Sequence, residues 1–210
     1  MAEKGTKIEG IGEIVEEKPT YTGPEYNWFK LITRTIQFSD GHQEDQVVQD
    51  SRGKRFAVGV AMTAQGMFPL VTEPKRGRFE LSTGFATGAM KKGETPEEAA
   101  TRELEEETGY TATNWRPLFP NTVYIKPDKE DGGDHEVLLA TDAQQVSDPE
   151  QYSTTVLVSF EDLERISRNE HEKIQIRNMM QYGALCRTLN YIRENNLLNQ
   201  LTQENLPVTS

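Results

Sequence analysis

The sequence predicts an α/β fold in which a mixed central sheet lies between helices. Short runs rich in β-branched and aromatic residues, bounded by turn residues, occur on both sides of one acidic helical segment. A longer segment with apolar residues at helical spacing follows near the C-terminus. Strands on both sides of a helix, followed by a second helix, are typical of a sheet whose faces are covered by helices.

Three segments are expected along the 210 residues. Residues 1–52 form an N-terminal arm and β sub-domain, residues 53–198 form the main domain, and residues 199–210 form a flexible tail. In the first segment, residues 26–38 alternate in polarity as a strand does, and a returning strand at residues 44–50 completes a β-hairpin.

The main domain is expected to contain strands before and after the acidic helix. They are predicted at residues 56–62, 67–73, 79–82, 113–119, 121–125, 136–141 and 154–160. Residues 126–135 form a polar loop, and Ser159 and Ser167 can cap helices. Residues 172–195 form a long helix. Its expected core residues are Ile174, Ile176, Met180, Ala184, Leu185, Leu189 and Ile192.

The acidic segment has complete signals for the start and the end of a helix. Thr95 can cap the N-terminus, Pro96 suits the first helical position, and Glu98 completes a capping box. Gly109 then supplies the C-terminal stop. We therefore expect one short helix between Thr95 and Gly109.

The spacing of acidic residues within this helix points to a metal site. Glu103, Glu106 and Glu107 stand at i, i+3 and i+4 and share one face of the helix. Three carboxylates on one face repel each other, and a divalent cation would turn that repulsion into binding. The simpler alternative is a solvated acidic helix face, which is common in proteins.

The full pattern from Gly88 to Tyr110, GAMKKGETPEEAATRELEEETGY, separates these alternatives. It resembles the Nudix box, the signature of the Nudix hydrolases, with every fixed glycine, glutamate and arginine in place. Tyr110 stands where that family usually has an aliphatic residue. The resemblance implies a Nudix-type α/β/α sandwich that hydrolyses a nucleoside diphosphate linked to a further group.

The resemblance also implies roles for individual residues. Glu103, Glu106 and Glu107 match the ligands of Mg²⁺ or Mn²⁺, and Thr87 matches a residue that adds its backbone carbonyl. Glu106, Glu107 and Arg102 are the box residues that we expect to serve catalysis. An arginine beside three acids offsets their repulsion and can orient a carboxylate.

Glu94 and Arg102 match the residues that hold the loop and the helix of the Nudix box in shape.

Features outside the box resemble the pyrophosphatases of ADP-ribose and nucleoside diphosphate sugars. The N-terminal hairpin resembles the dimerisation sub-domain of that group and implies a homodimer. Glu73 and Arg76 match a substrate-binding element of the group, although Pro74 replaces its usual glutamine. A charged turn after a strand is the alternative explanation of these residues. Residues 80–84 resemble the approach to the box, without its usual proline and alanine.

One marker of that group is missing, which keeps other substrates open. ADP-ribose pyrophosphatases commonly carry a proline at a spacing that falls near Ile125, and this chain has none there. Tyr124 lies nearby and is compatible with hydrolysis of dinucleoside polyphosphates. NADH is a further alternative substrate.

The family places a general base on a loop late in the domain. Glu150 is our choice for that base, with Asp148 in reserve, and a plain surface acid is the alternative. Trp28 could stack on the adenine of the substrate, although a tryptophan in a strand more often packs in a core or an interface.

Composition limits the remaining possibilities. The net charge of −11 disfavours a nucleic-acid partner and makes metal dependence the natural way to hold a polyanionic substrate. The one cysteine, Cys186, cannot form an internal disulfide, and the three histidines lack ligand spacing for zinc. No signal peptide or membrane span is seen, so we expect a cytoplasmic protein.

Two further functional classes stay open at this point. The chain could be a Nudix-fold module that senses nucleotides with weak activity, although three intact metal-ligand glutamates favour an enzyme. It could also be an acidic interaction protein, in which case divalent ions would not stabilise its folding.

Overall fold

The computed structural model describes residues 4–9, 12–22, 30–75, 80–119 and 130–198. Within these ranges the protein is a mixed α/β protein with three α-helices. Its contacts divide the chain into two compact units, residues 1–55 with 124–134 and residues 56–123 with 135–210. None of the three helices combines the length and the apolar character that crossing a membrane requires.

The first unit is an antiparallel β-meander. Strand β1 (Lys7–Ile8) pairs with β2 (Gly12–Thr22), β2 pairs with β3 (Lys30–Phe38), and β3 pairs with the beginning of β4 (Gln43–Thr63). The predicted tail at residues 199–210 and the first part of the strand predicted at 26–38 lie outside the described residues.

The predicted hairpin of this unit is confirmed. Its turn passes through Gly41, whose φ of 90° favours glycine, and the Asp40 carboxylate accepts a hydrogen bond of 3.2 Å from the His42 N–H. The register places Ile32 opposite Val48, and both side chains are buried. The strand predicted from the alternation of polarity is therefore present from Lys30 onwards, paired with β4.

The second unit contains two sheets and the three helices. In the first sheet, β4 pairs with β7 (Ala86–Ala89), and β10 (Glu130–Gln145) pairs with β8 (Tyr110–Thr111) and β9 (Arg116–Pro117). In the second sheet, β5 (Phe68–Lys75) lies between β6 (Glu80–Gly84) and β11 (Thr154–Val158). The helices are α1 (Pro96–Thr108), α2 (Phe160–Ser167) and α3 (Met179–Glu194).

Several strands differ in extent from their predictions. The segments expected at 44–50 and 56–62 are one continuous strand, because the polar residues between them continue the extended backbone. β10 likewise begins inside the loop predicted at 126–135. Residues 113–119 are mostly irregular, with only Arg116–Pro117 paired. The strand predicted at 121–125 lies outside the described residues.

The last helix begins later than predicted, at Met179 rather than at residue 172. Ile174 and Ile176 are buried while the residues after each are exposed, which is the two-residue alternation of an extended chain. The N-cap is Asn178, whose side chain accepts from the N–H groups of Met180 and Gln181. Ser159 caps α2 as predicted.

Of the two serines proposed as N-caps, Ser159 has that role and Ser167 does not. Ser167 is the last residue of α2, and its hydroxyl donates to the Glu164 carbonyl at 2.7 Å. A serine hydroxyl bonds backbone groups at either end of a helix, so the residue type alone does not distinguish the two.

The acidic helix is confirmed together with both of its caps. The Thr95 hydroxyl accepts from the Glu98 N–H, and the Glu98 carboxylate accepts from the Thr95 N–H, which is the reciprocal capping box. The Gly109 N–H donates to the Glu105 carbonyl and ends the helix.

Small residues bring α1 close to the sheet beneath it. Ala99, Ala100 and Leu104 are fully buried and pack against strands β4, β7 and β10. Because two of the three are alanines, the helix backbone lies near the strands, and its polar face is held beside the loop that follows β6. The larger core is formed by side chains of β4 and β10 together with the second sheet, α2 and α3. Its largest buried residues include Phe68, Leu70, Phe85, Leu163, Leu185 and Ile192.

A pair of glycine substitutions tests the C-terminal cap of α1. Gly109 has a φ of 73°, and a Cβ there would lie 2.3 Å from the Ser147 carbonyl oxygen. Gly93 has a φ of 87° with no heavy atom within 4 Å of the same position. We expect Gly93→Ala to lower the free energy of unfolding by about 1 kcal/mol, because alanine is strained in the left-handed backbone conformation and meets no other atom there.

Gly109→Ala should lower the free energy of unfolding by about 3 kcal/mol. The same backbone strain accounts for about 1 kcal/mol of this loss, and displacement of the Ser147 backbone adds about 2 kcal/mol. Urea unfolding of both variants measures the difference. Equal losses would show that the contact with Ser147 does not constrain the cap.

Candidate active site

The glycine loop before α1 lies directly against the acidic face of the helix. A Cβ added to Gly88 would lie 1.9 Å from an oxygen of the Glu103 carboxylate and 2.0 Å from its Cδ. Next to it, the Thr87 N–H donates to the Glu107 carboxylate at 3.0 Å. Glycine at position 88 is therefore required by the close approach of Glu103 to the loop.

The Arg102 guanidinium connects this loop to the helix. Its Nε and Nη2 donate to the two carboxylate oxygens of Glu94 at 2.8 and 3.1 Å, and Nη2 also donates to the Ala89 carbonyl at 3.0 Å. Its Nη1 donates to Glu103 at 2.5 Å and to Glu106 at 3.1 Å. One arginine thus engages three of the acidic side chains in the segment.

The contacts of Glu94 strongly favour its ionised form. The hydrogen bond from Arg102 lowers the pKa of Glu94 from 4.5 to about 2, and the Lys91 N–H assists by donating at 2.6 Å. The hydrogen bonds that Arg102 donates to carboxylates raise its own pKa above the ordinary value, and the bond to Glu94 has the largest effect. The two side chains therefore form an ion pair at neutral pH.

The helix carboxylates lie in different environments. Only 13% of the Glu103 side chain is exposed, against 48% for Glu106. Burial raises the pKa of Glu103, and the Arg102 contact opposes that shift. An added positive charge would therefore act more strongly on Glu103 than on Glu106, since burial weakens the screening by water.

The three helix carboxylates suit a hard divalent cation chemically. They offer only oxygen donors, which Mg²⁺ and Mn²⁺ prefer, and the missing Cβ of Gly88 leaves the space in which Glu103 lies. Across the described ranges, no three acidic, histidine or cysteine side chains already point at a common centre. A metal ion would therefore compete with Arg102 for the carboxylates of Glu103 and Glu106.

A second loop, residues 146–150, docks on the C-terminal end of α1. The N–H groups of Val146 and Ser147 donate to the Gly109 carbonyl at 2.9 and 3.1 Å. The Glu150 N–H donates to the Glu106 carbonyl at 2.8 Å. These bonds hold the proposed base, Glu150, beside the helix turn that carries Glu106.

An open groove of about 820 Å³ joins these elements. Arg102 and Glu106 line it from the helix, Asp148 and Glu150 line it from the docked loop, and Trp115 contributes an aromatic wall. The Trp115 indole N–H donates to the Thr101 hydroxyl at 2.8 Å, so its ring is held in place. The structure thus brings four of the residues singled out from the sequence to one groove.

The remaining expected site residues lie elsewhere or outside the described ranges. Glu103, Glu107 and Thr87 lie at the loop before α1 and are not among the groove-lining residues. Glu73 is half-buried on β5, paired in register with Ser82. Arg76 and Trp28 fall outside the part of the chain that the structure describes.

Pattern analysis of the sequence missed two side chains near the site, Trp115 in the groove and Gln181 of α3. The Gln181 amide contacts the backbone of Phe85 and the hydroxyl of Thr87. These residues are separated by more than ninety positions along the chain, so no local spacing could have connected them.

The pair formed by Glu94 and Arg102 predicts a pH-dependent contribution to stability. The pKa of Glu94 in the folded protein lies near 2, below its ordinary value of 4.5. The stabilisation is therefore fully present above about pH 4.5 and is lost as the pH falls towards 2. We expect Glu94→Gln to lower the free energy of unfolding by about 2 kcal/mol at pH 7, with a shrinking deficit below pH 4.5.

Urea unfolding of both proteins between pH 3 and 7 measures this difference. The control is Glu105→Gln, which removes one exposed carboxylate from the same helix and should change stability by less than about 0.5 kcal/mol. A Glu94→Gln deficit that stays constant with pH would contradict the assignment.

Comparisons with known proteins bear on the family and the fold. Residues 53–181 match the family model described as the NUDIX domain. No curated protein sequence matches the chain. The crystal structure of an ADP compounds hydrolase is similar with a TM-score of 0.75 and 16% identity, covering 90% of this chain and 98% of that one. This likeness confirms the expected fold. Because the family match spans more than half of the 210 residues, the chain belongs to the Nudix hydrolase family.

Proposed function

We propose that the protein is a divalent-metal-dependent pyrophosphatase of ADP-ribose or a related nucleoside diphosphate sugar. Hydrolysis of the diphosphate linkage would release two phosphomonoesters. The observation that carries the proposal is that Arg102, Glu106 and Glu150 line one groove, beside the loop that lies against Glu103 and Glu107. A protein of the same fold is an ADP compounds hydrolase, which supports an ADP-linked substrate.

The residues that would hold Mg²⁺ or Mn²⁺ are Glu103, Glu106 and Glu107, with the Thr87 carbonyl. When bound, the ion neutralises diphosphate charge and lowers the pKa of a coordinated water. This help is needed because the groove carries the carboxylates of Glu106, Asp148 and Glu150, and the chain has a net charge of −11.

The protein side chains supply proton transfer and orientation. Glu150 is exposed on the loop docked against Glu106, and its carboxylate accepts the proton of the attacking water. Arg102 cannot lose its own proton, and its bidentate contact with Glu94 keeps its plane fixed. Arg102 therefore orients Glu103 and Glu106 and limits their mutual repulsion.

A substrate panel with added Mg²⁺ tests this function directly. We expect AMP and ribose 5-phosphate from ADP-ribose, and no product when the metal is chelated. ADP-glucose, NADH, diadenosine polyphosphates and deoxynucleoside triphosphates complete the panel. Faster turnover of diadenosine polyphosphates or NADH would replace the proposed substrate, and tight ligand binding without product would indicate a sensor.

Two glutamate variants separate the metal role from the base role. Glu107→Gln should weaken Mn²⁺ binding and reduce kcat, because it removes a ligand charge. Glu150→Gln should reduce kcat by about 10²-fold or more while Mn²⁺ binding stays unchanged. Glu170→Gln, at an exposed residue after α2, is the control and should match the wild type. Unchanged turnover of Glu150→Gln would remove Glu150 from the mechanism.

Gly88→Ala tests the glycine loop as part of the metal site. The added methyl group would displace the Glu103 carboxylate, so we expect Mn²⁺ affinity to fall by at least about tenfold. Gly183→Ala is the matched control, since its Cβ on α3 would have no heavy atom within 4 Å. That variant should gain about 0.5 kcal/mol of stability and keep its Mn²⁺ affinity. Equal Mn²⁺ affinity in both variants would contradict the placement of Glu103 at the metal.

A further inference from the structure

The loop that carries Thr87 begins with a break between two sheets. Strand β6 ends at Gly84, which pairs with Val71 of β5, and β7 begins at Ala86, which pairs with Gly59 of β4. Phe85 lies between them and belongs to neither ladder, and its side chain is buried in the larger core. Its backbone N–H and carbonyl must therefore find other partners.

The side chain of Gln181 provides both partners. Its Oε1 accepts from the Phe85 N–H at 2.8 Å, and its Nε2 donates to the Phe85 carbonyl at 3.0 Å. The amide thus pairs with one residue as a neighbouring strand would. A Cβ on Gly84 would lie 3.1 Å from the Gln181 amide, so the glycine leaves room for this contact.

Gln181 also holds the next part of the loop. Its Nε2 donates to the Thr87 hydroxyl at 2.6 Å, and that hydroxyl donates to the Phe85 carbonyl at 2.9 Å. The position of Gln181 is itself fixed at the start of α3, where its N–H donates to the Asn178 side chain. The beginning of α3 is therefore connected to Thr87 by one rigid side-chain network.

The network ends at a carboxylate of the proposed metal site. The Thr87 N–H donates to Glu107, so a shift of Thr87 would move both that donor and the Thr87 carbonyl proposed for the metal. We infer that Gln181 is a positioning residue, which sets the orientation of the Thr87 peptide and thereby of Glu107 for metal binding. This inference rests on the proposed function, because it assigns Glu107 to the metal.

The test compares two variants of α3 in the full-length protein. Gln181→Met keeps the length of the side chain but removes every hydrogen bond that the Gln181 amide makes with Phe85 and Thr87. Leu189→Ala, at a buried residue of the same helix, lowers stability by leaving a cavity and leaves the hydrogen-bonding side chain of Gln181 unchanged. Should Gln181→Met fail to fold, Gln181→Glu replaces it, since it keeps an acceptor for Phe85 but loses both donated bonds.

Three measurements are made on each protein. Titration with Mn²⁺ should show at least about tenfold weaker binding in Gln181→Met and unchanged binding in Leu189→Ala. With ADP-ribose as the substrate, kcat should fall in Gln181→Met with little change in KM, because Gln181 does not contact the substrate. Amide hydrogen exchange of the metal-free proteins should show lost protection at Phe85 and Thr87 in Gln181→Met alone.

Each outcome bears on one proposal. The positioning role is overturned if Gln181→Met binds Mn²⁺ as tightly as the wild type does, or if both variants lose Mn²⁺ affinity equally. A wild-type protein that binds no Mn²⁺ and hydrolyses no substrate overturns the proposed function instead. The hydrogen-exchange measurement needs no metal, so retained protection of the Thr87 amide in Gln181→Met overturns the inference in either case.

Discussion

The arrangement of the site depends on one guanidinium among many carboxylates. Seven glutamates lie between Glu94 and Glu107, and Arg102 is the only cation within that interval. Its planar, permanently charged group binds Glu94 through two hydrogen bonds and reaches Glu103 and Glu106 through a third nitrogen. It thereby offsets the repulsion among these three carboxylates where the loop and the helix meet. Arg102 thus makes a dense acidic surface compatible with a folded protein.

Backbone geometry then places the other parts of the site around that helix. Gly88 lets the first loop lie against Glu103, and Gly109 lets the second loop, with Glu150, dock at the other end. Both contacts need a residue without a side chain, and only Gly109 also needs a positive φ. Two loops that are distant in sequence therefore meet on one short helix, whose alanines let it lie close to the sheet.

Electrostatics connects this architecture to the chemistry. Glu103 is held between burial, which raises its pKa, and Arg102, which lowers it. A divalent ion would replace Arg102 as the partner of Glu103 and Glu106, while Glu94 keeps Arg102 in place. The acid-rich groove then becomes able to receive an anionic diphosphate, since the added positive charge offsets the carboxylates that line it.

Interactions within a few residues were predictable from the sequence. The caps of α1 at Thr95, Glu98 and Gly109, and the shared face of its glutamates, follow from contacts that span at most four positions. The late start of α3 was missed because Ile174 and Ile176 also fit a helical pattern. Only the tertiary structure decided that Glu150 meets Glu106 and that Gln181 holds Thr87, because those contacts join groups far apart in the sequence, whose partners are chosen by packing and not by spacing along the chain.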